Sequence, residues 1–191
     1  MKRLTVLIDI DDTIENLCEA WCKWLNKKHG LNVSPEKITD WDISRFFSDL
    51  TSEEIFSPLL SEDFWETVTP KPDAVKYLSA LHSEGFNLFL CSATDYRVVR
   101  TKYEKIISKY FPFISWDKVI ICAKKQMVKA DVLVDDGFHN LIGGDYEKLL
   151  MSAPHNKHIN EGLYNMIRVN TWREIYNIIH FMARSKVAID K

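Results

Sequence analysis

Six short apolar runs alternate with helical patterns along most of the chain, and that alternation constrains the fold more than any other feature. The runs cover residues 4–10, 86–91, 119–122, 132–134, 149–151 and 166–169. The first is almost continuously apolar and rich in β-branched residues, as expected of a strand buried on both faces. Between the runs lie stretches with helical period. Ala74, Val75, Leu78 and Leu81 mark one that ends at Gly85, and residues 97–109 form another. Ile175, Ile178, Ile179 and Met182 mark the last, opened by a capping box at Thr171-Trp172-Arg173-Glu174. Strands alternating with helices of this length predict βαβ units, hence an α/β fold with a doubly wound parallel sheet.

The alternation breaks once, directly after the first run. Residues 15–70 carry helical patterns and no convincing strand. Leu17, Cys18, Trp21, Cys22 and Leu25 share a helical face closed by Gly30, Ser34-Pro35 resembles a helix start, and Thr51-Ser52-Glu53-Glu54 offers a capping box. The expected organisation is therefore a core of residues 1–14 and 71–191, with residues 15–70 inserted as a small helical cap above the carboxyl ends of the strands.

Composition removes several classes of function. The chain has 191 residues, 25 Lys and Arg against 27 Asp and Glu, and a formal net charge of −2. Duplex nucleic acid demands a strongly basic face, so no such partner is expected. No apolar stretch is long enough to span a membrane. The basic start Met1-Lys2-Arg3 precedes an apolar run too short for a signal peptide, and acids follow it directly. Cys18, Cys22, Cys91 and Cys122 are scattered without metal-site spacing, and the pair at Cys18 and Cys22 fits a core-facing helix. A reduced, cytoplasmic protein is the expectation.

Three strands end in polar residues where open α/β sheets bind ligands: Asp9-Ile10-Asp11-Asp12-Thr13, Ser92-Ala93-Thr94 and Asp135-Asp136. Gathering carboxylates beyond apolar strands is costly unless a cation sits among them. An all-oxygen set of this kind suits Mg²⁺, which keeps waters and bridges to phosphate. If strand geometry persists, Asp9 and Asp11 point to the same side. Asp9 could then attack phosphorus while Asp11 handles a proton. Ser92, the backbone N–H groups beside it at Ala93, and Lys124 or Lys125 supply donors for the transferring oxygens. His155 and His158, in a loop without further ligand partners, fit structural hydrogen bonding better than zinc.

These motifs resemble the haloacid dehalogenase superfamily, whose phosphatases carry DxDxT, a Ser or Thr, a Lys and a DD pair on a doubly wound core. The resemblance implies Asp9 as nucleophile, Asp11 as general acid and base, Ser92 as phosphate ligand, and Asp135 with Asp136 as Mg²⁺-holding acids beside Asp9 and the Asp11 carbonyl. It narrows to the 5′(3′)-deoxyribonucleotidases over almost the whole chain. Their lysine stands ten residues before the DD pair, which selects Lys125, and Ala153-Pro154-His155-Asn156-Lys157-His158 is similar to their HNxH segment. Implied are a nucleotide substrate and an aspartyl-phosphate intermediate, and the resemblance also allows a homodimer. Two departures stand out. Asp12 replaces the glycine of the vertebrate first motif, and Leu17 stands where the family's base pocket has an aromatic. Within the cap, Trp41, Phe46, Phe47 and Trp65 are the candidate base-contacting aromatics, beside Leu17. The competing expectations are a phosphatase for a sugar phosphate or other small phosphomonoester, and a non-catalytic phosphate- or nucleotide-binding protein.

Overall fold

A computed structural model of the protein describes residues 3–189, with side chains through Ser185; Met1 and Lys2 of the basic start lie outside them. Strand β1 (Thr5–Ile8) is followed by α1 (Leu17–His29), α2 (Ser52–Phe56), α3 (Glu62–Trp65) and α4 (Ala74–Ser83) before β2 (Asn87–Ser92). Then come α5 (Val99–Lys102), β3 (Val119–Ile121), β4 (Val132–Asp135), α6 (Phe138–Leu141), β5 (Glu147–Met151), β6 (Met166–Val169) and α7 (Trp172–Ile189). The six strands form one sheet in the order β3-β2-β1-β4-β5-β6, and every pairing is parallel. The order reverses between β1 and β4, so the crevice at their carboxyl ends is the expected ligand site.

Period-two alternation divides the sheet's apolar residues between two cores. Val6, Ile8, Val132, Val134 and Leu149 face a large core with Leu78 and Leu81 of α4 and Ile175 and Ile179 of α7. This core runs on without a break into Trp21, Leu25, Ile55 and Phe64 of the helical segment. Leu7, Leu133 and Leu150 face a smaller core closed by Leu141 and Tyr146.

Between β1 and α4 the chain forms helices and 3₁₀ turns. It leaves and re-enters the sheet side by side, through an antiparallel bridge of Glu15 to Pro70. Asn16 N donates to Thr69 O at 2.9 Å, and Lys71 N donates to Ile14 O at 2.9 Å. Local signals explain most of the boundaries. Thr51 and Glu54 exchange both capping bonds at the start of α2. Gly30 ends α1 at φ +69°, a conformation that costs glycine little.

Three readings of the sequence need correction. Ser34-Pro35 starts only a 3₁₀ turn (Pro35–Lys37), because the Ser34 hydroxyl bonds Glu36 instead of capping. At α7, Thr171 accepts from Glu174 N, but the Glu174 carboxylate reaches Asn170 N at 2.7 Å, so the box is displaced by one residue. The helix expected over 97–109 is irregular: a 3₁₀ turn (Tyr96–Val98), then α5, then a π-helical stretch (Tyr103–Ser108). Among the described residues, no helix is long and apolar enough to cross a membrane.

Candidate active site

The acids meet because β1 and β4 are neighbours. Asp9 N donates to Val134 O at 2.9 Å, extending the ladder one residue past β1. The chain then turns: Ile14 N bonds back to Ile10 O at 3.0 Å, and Asp12 takes φ +53°. Asp12 accepts from Cys18 N at 3.1 and 3.2 Å, so its carboxylate caps the first turn of α1.

Leaving strand geometry separates the two acids of the first motif. Asp9 is 5 % exposed and accepts from Lys125, itself 1 % exposed; Lys125 also donates to Asp135 Oδ2 at 2.6 Å. The carboxylate of Asp11 turns elsewhere, accepting from Lys102 Nζ at 2.7 Å on both oxygens and from Ser92 Oγ at 3.3 Å.

Asp9, Asp135 and Asp136 are all buried and offer oxygens within 4.8 Å of one another. The two acids of the DD pair differ in what they can still bind. Asp135 Oδ1 accepts from Gly137 N at 2.7 Å and Asn140 Nδ2 at 3.1 Å, while its Oδ2 holds Lys125. Asp136 Oδ1 has no donor, and His155 Nε2 lies 3.4 Å from Oδ2. The Asp136 backbone is fixed by Asn156 Nδ2, which donates to its carbonyl at 2.9 Å. Arg168 of β6 in turn holds Asn156, through Oδ1 at 2.9 Å and the carbonyl at 3.1 Å.

Three buried carboxylates against one lysine leave an excess of negative charge, and the acids register it. Burial pushes the Asp9 carboxyl up to about 8; Lys125 opposes the shift and Asp135 and Asp11 add to it. Burial and the charges of Asp9 and Asp12 push Asp136 well above the usual carboxylate range. Burial works against the Lys125 ammonium, but Asp9 and Asp135 outweigh it and keep Lys125 charged. Asp11 goes the other way: burial favours its neutral form, yet Lys102 overrides this and holds the carboxyl below its ordinary value. An orphaned buried oxygen on Asp136 within an all-oxygen cluster fits a hard divalent cation.

The family model for "5′ nucleotidase, deoxy (pyrimidine), cytosolic type C protein" matches residues 3–186. The chain belongs to this family. A 5′(3′)-deoxyribonucleotidase of Clostridium acetobutylicum is 33 % identical over 174 residues, covering 91 % of this chain and 93 % of the relative. One of Bacillus subtilis is 27 % identical over 175 residues, covering 92 % and 97 %. A haloacid dehalogenase-like hydrolase from Streptococcus pneumoniae shares the fold at TM-score 0.61 and 13 % identity, covering 92 % of this chain and 98 % of that one. Another from Deinococcus radiodurans, with bound phosphate and sodium, does so at TM-score 0.59 and 12 % identity, covering 90 % and 92 %. This member of the type C nucleotidase family is a phosphatase, and its fold is that of haloacid dehalogenase-like hydrolases.

The candidate aromatics of this family member divide by burial. Phe47 and Trp65 are 2 % and 1 % exposed and present no face to a ligand; Trp65 Nε1 is spent on Leu59 O at 2.9 Å. Trp41 is 57 % exposed and sets its ring edge-on to His139 and His155, with centroids 4.6 and 5.1 Å away. Leu17 and Phe46 are half-buried, and Ala93 is exposed just beyond β2. His155 Nε2 lies 3.2 Å from the Asp136 carbonyl, whereas His158 is exposed.

Lys102 and Glu15 escaped the sequence reading. Lys102 is 3 % exposed and its ammonium lies 5.0 Å from the Trp65 ring centroid. A signal existed, since Val98, Lys102 and Ile106 fall four apart on one helical face, which puts a lysine in an apolar stripe. Glu15 is buried, with its carboxyl set against that of Asp11. Burial raises its carboxyl well above the ordinary value, and the charges of Asp11 and Asp12 raise it further.

Proposed function

We propose that this phosphatase is a Mg²⁺-dependent phosphomonoesterase that hydrolyses nucleoside or deoxynucleoside monophosphates through an aspartyl-phosphate on Asp9. The observation that carries the reading is the division of labour between two acids two residues apart. Asp9 sits in the buried cluster with Lys125, and Asp11 is held outside it by Lys102 and Ser92. In the first half-reaction an Asp9 oxygen attacks phosphorus. The bond from phosphorus to the nucleoside oxygen breaks, and that oxygen keeps the electron pair and takes a proton from Asp11. In the second, water gives its proton to Asp11 and attacks phosphorus, and the bond to Asp9 breaks. Asp9, Asp136 and the Asp11 carbonyl would hold the Mg²⁺, with Asp135 beside them. Bound there, the cation offsets the excess carboxylate charge and the charge on phosphate. Lys125 keeps the Asp9 carboxylate oriented, and Ser92 with the backbone at Ala93 faces the phosphoryl oxygens.

Residues 15–70 are proposed as the cap that selects the leaving group, with Leu17, Trp41 and Phe46 as its accessible apolar surface. The relatives named as deoxyribonucleotidases support a nucleotide over a sugar phosphate. The test is turnover on a panel of nucleoside monophosphates and sugar phosphates, with Mg²⁺ and with chelator. Nucleotides should lead, and only with the metal. A lead by sugar phosphates overturns the substrate class, and no turnover on any phosphomonoester overturns the enzyme reading in favour of a binding protein.

A further inference from the structure

We propose that Lys102, seated on the ring of Trp65, is the positioning residue that aims Asp11 for proton transfer and ties that aim to the helical segment beyond β1. The inference rests on the phosphomonoesterase reading above and adds to it a residue outside the four sequence motifs. Lys102 Nζ lies 2.7 Å from each Asp11 oxygen and 3.3 Å from Ser92 Oγ. The lysine is 3 % exposed, so its ammonium is shielded and would be costly to leave unpaired, while the Asp11 side chain that receives it stays 28 % exposed. Its other face is covered by Trp65, 5.0 Å from the ring centroid, within reach of a cation–π contact. Trp65 is itself fixed, buried to 1 % and donating to Leu59 O.

The helix carrying Lys102 departs from α geometry immediately beyond it, over Tyr103–Ser108. Such π turns cost regular hydrogen bonding and recur where a helix must present a side chain to a site. The physical need is plain. The Asp11 carboxyl lies outside the Asp9 cluster, so nothing in that cluster fixes its torsion. With both its oxygens on one buried ammonium, the Asp11 carboxyl has its torsion set by Lys102. Ser92 Oγ is the looser neighbour, 3.3 Å from both Lys102 Nζ and Asp11 Oδ2, so the short bonds of Lys102 are those to Asp11.

The experiment compares leaving groups. A nucleoside oxygen needs a proton as it leaves; 4-nitrophenolate does not. Single-turnover phosphorylation of Asp9 is measured with a nucleoside monophosphate and with 4-nitrophenyl phosphate, in wild type, Lys102→Met, Trp65→Leu and Trp65→Phe. Circular dichroism and melting checks accompany each variant. Lys102→Met should lose about 100-fold on the nucleotide, the usual worth of a positioned acid, and less than about 3-fold on 4-nitrophenyl phosphate. Its nucleotide KM should shift far less than its rate. Trp65→Leu should repeat the pattern at about tenfold, and Trp65→Phe, which keeps a ring beneath the ammonium, should stay near wild type. Equal losses on both substrates, in Lys102→Met or in a folded Trp65→Leu, would overturn the proposal while leaving the phosphatase reading intact. A wild type inactive on both substrates overturns both.

Discussion

Asp9→Asn should abolish turnover and yet stabilise the metal-free protein. The Asp9 carboxyl is pushed from 3.8 to about 8 by burial and by the charges of Asp135 and Asp11, net of its bond to Lys125. At pH 7 the folded protein therefore holds this group protonated while the unfolded chain has it ionised. The penalty is the gap between pH 7 and 3.8 at 1.36 kcal/mol per unit, or about 4 kcal/mol as an upper bound and on the order of 2–4 kcal/mol after relaxation. Asparagine keeps the shape and an acceptor for Lys125 without that penalty, and Lys125 retains Asp135 at 2.6 Å. For a chain of this size the gain corresponds to a rise in Tm of roughly 4–16 °C. The sign fixes the pH profile. A carboxyl whose folded pKa is raised costs nothing below about 4, costs progressively more as pH rises, and levels off above about 8. Melts of wild type and Asp9→Asn in chelator at pH 4, 6, 7 and 8 should therefore coincide at the acid end and diverge upward. Saturating Mg²⁺ should close the gap by binding wild type more tightly. Coincident melts at pH 7 in chelator, or a gap that shrinks with rising pH, would refute the claim that the cluster is strained by its own charge.

The same raised carboxyls make metal binding compete with protons, so Mg²⁺ affinity measured by calorimetry should strengthen from pH 6 to about 8 and then flatten. Asp136→Asn, which replaces the one acid of the DD pair with a donor-free buried oxygen, should weaken Mg²⁺ binding about 10–100-fold in the same assay. Asn156→Ala strips donors from the buried carbonyls of Asp136 and Met151, at 2.9 and 2.8 Å, and should cost about 2–4 kcal/mol in urea unfolding. Trp172→Ala removes a side chain 1 % exposed whose Nε1 holds Thr13 O at 3.1 Å, tying α7 to the catalytic turn; about 3–5 kcal/mol is expected by the same method.

By itself the sequence determined what depends on local period and on residue chemistry at strand ends. The β-branched runs, the glycine after α1 and the Thr51 capping box act over a few residues, so the alternating elements could be read directly. The acids after β1 and within Asp135-Asp136 were legible because charge beyond an apolar strand has few bland explanations; the residues alone left Lys124 or Lys125 open, and only the resemblance to the deoxyribonucleotidases pointed to Lys125. Strand order lay outside local reach. Only the tertiary structure set β1 beside β4, and so Asp9 beside Asp135, 126 residues away. The aromatics show a second limit: stacking on a ligand and packing in a core use the same flat apolar faces. Period alone could not tell that Trp65 is buried beneath Lys102 while Trp41 stands exposed against two histidines. The direction of Asp11 was likewise a tertiary decision. The chain turns at Asp12, so the two-residue spacing that would align Asp9 and Asp11 in a strand instead sends one carboxylate to Lys125 and the other to Lys102. Residue types and spacing fixed which groups were available; long-range packing decided which of them meet.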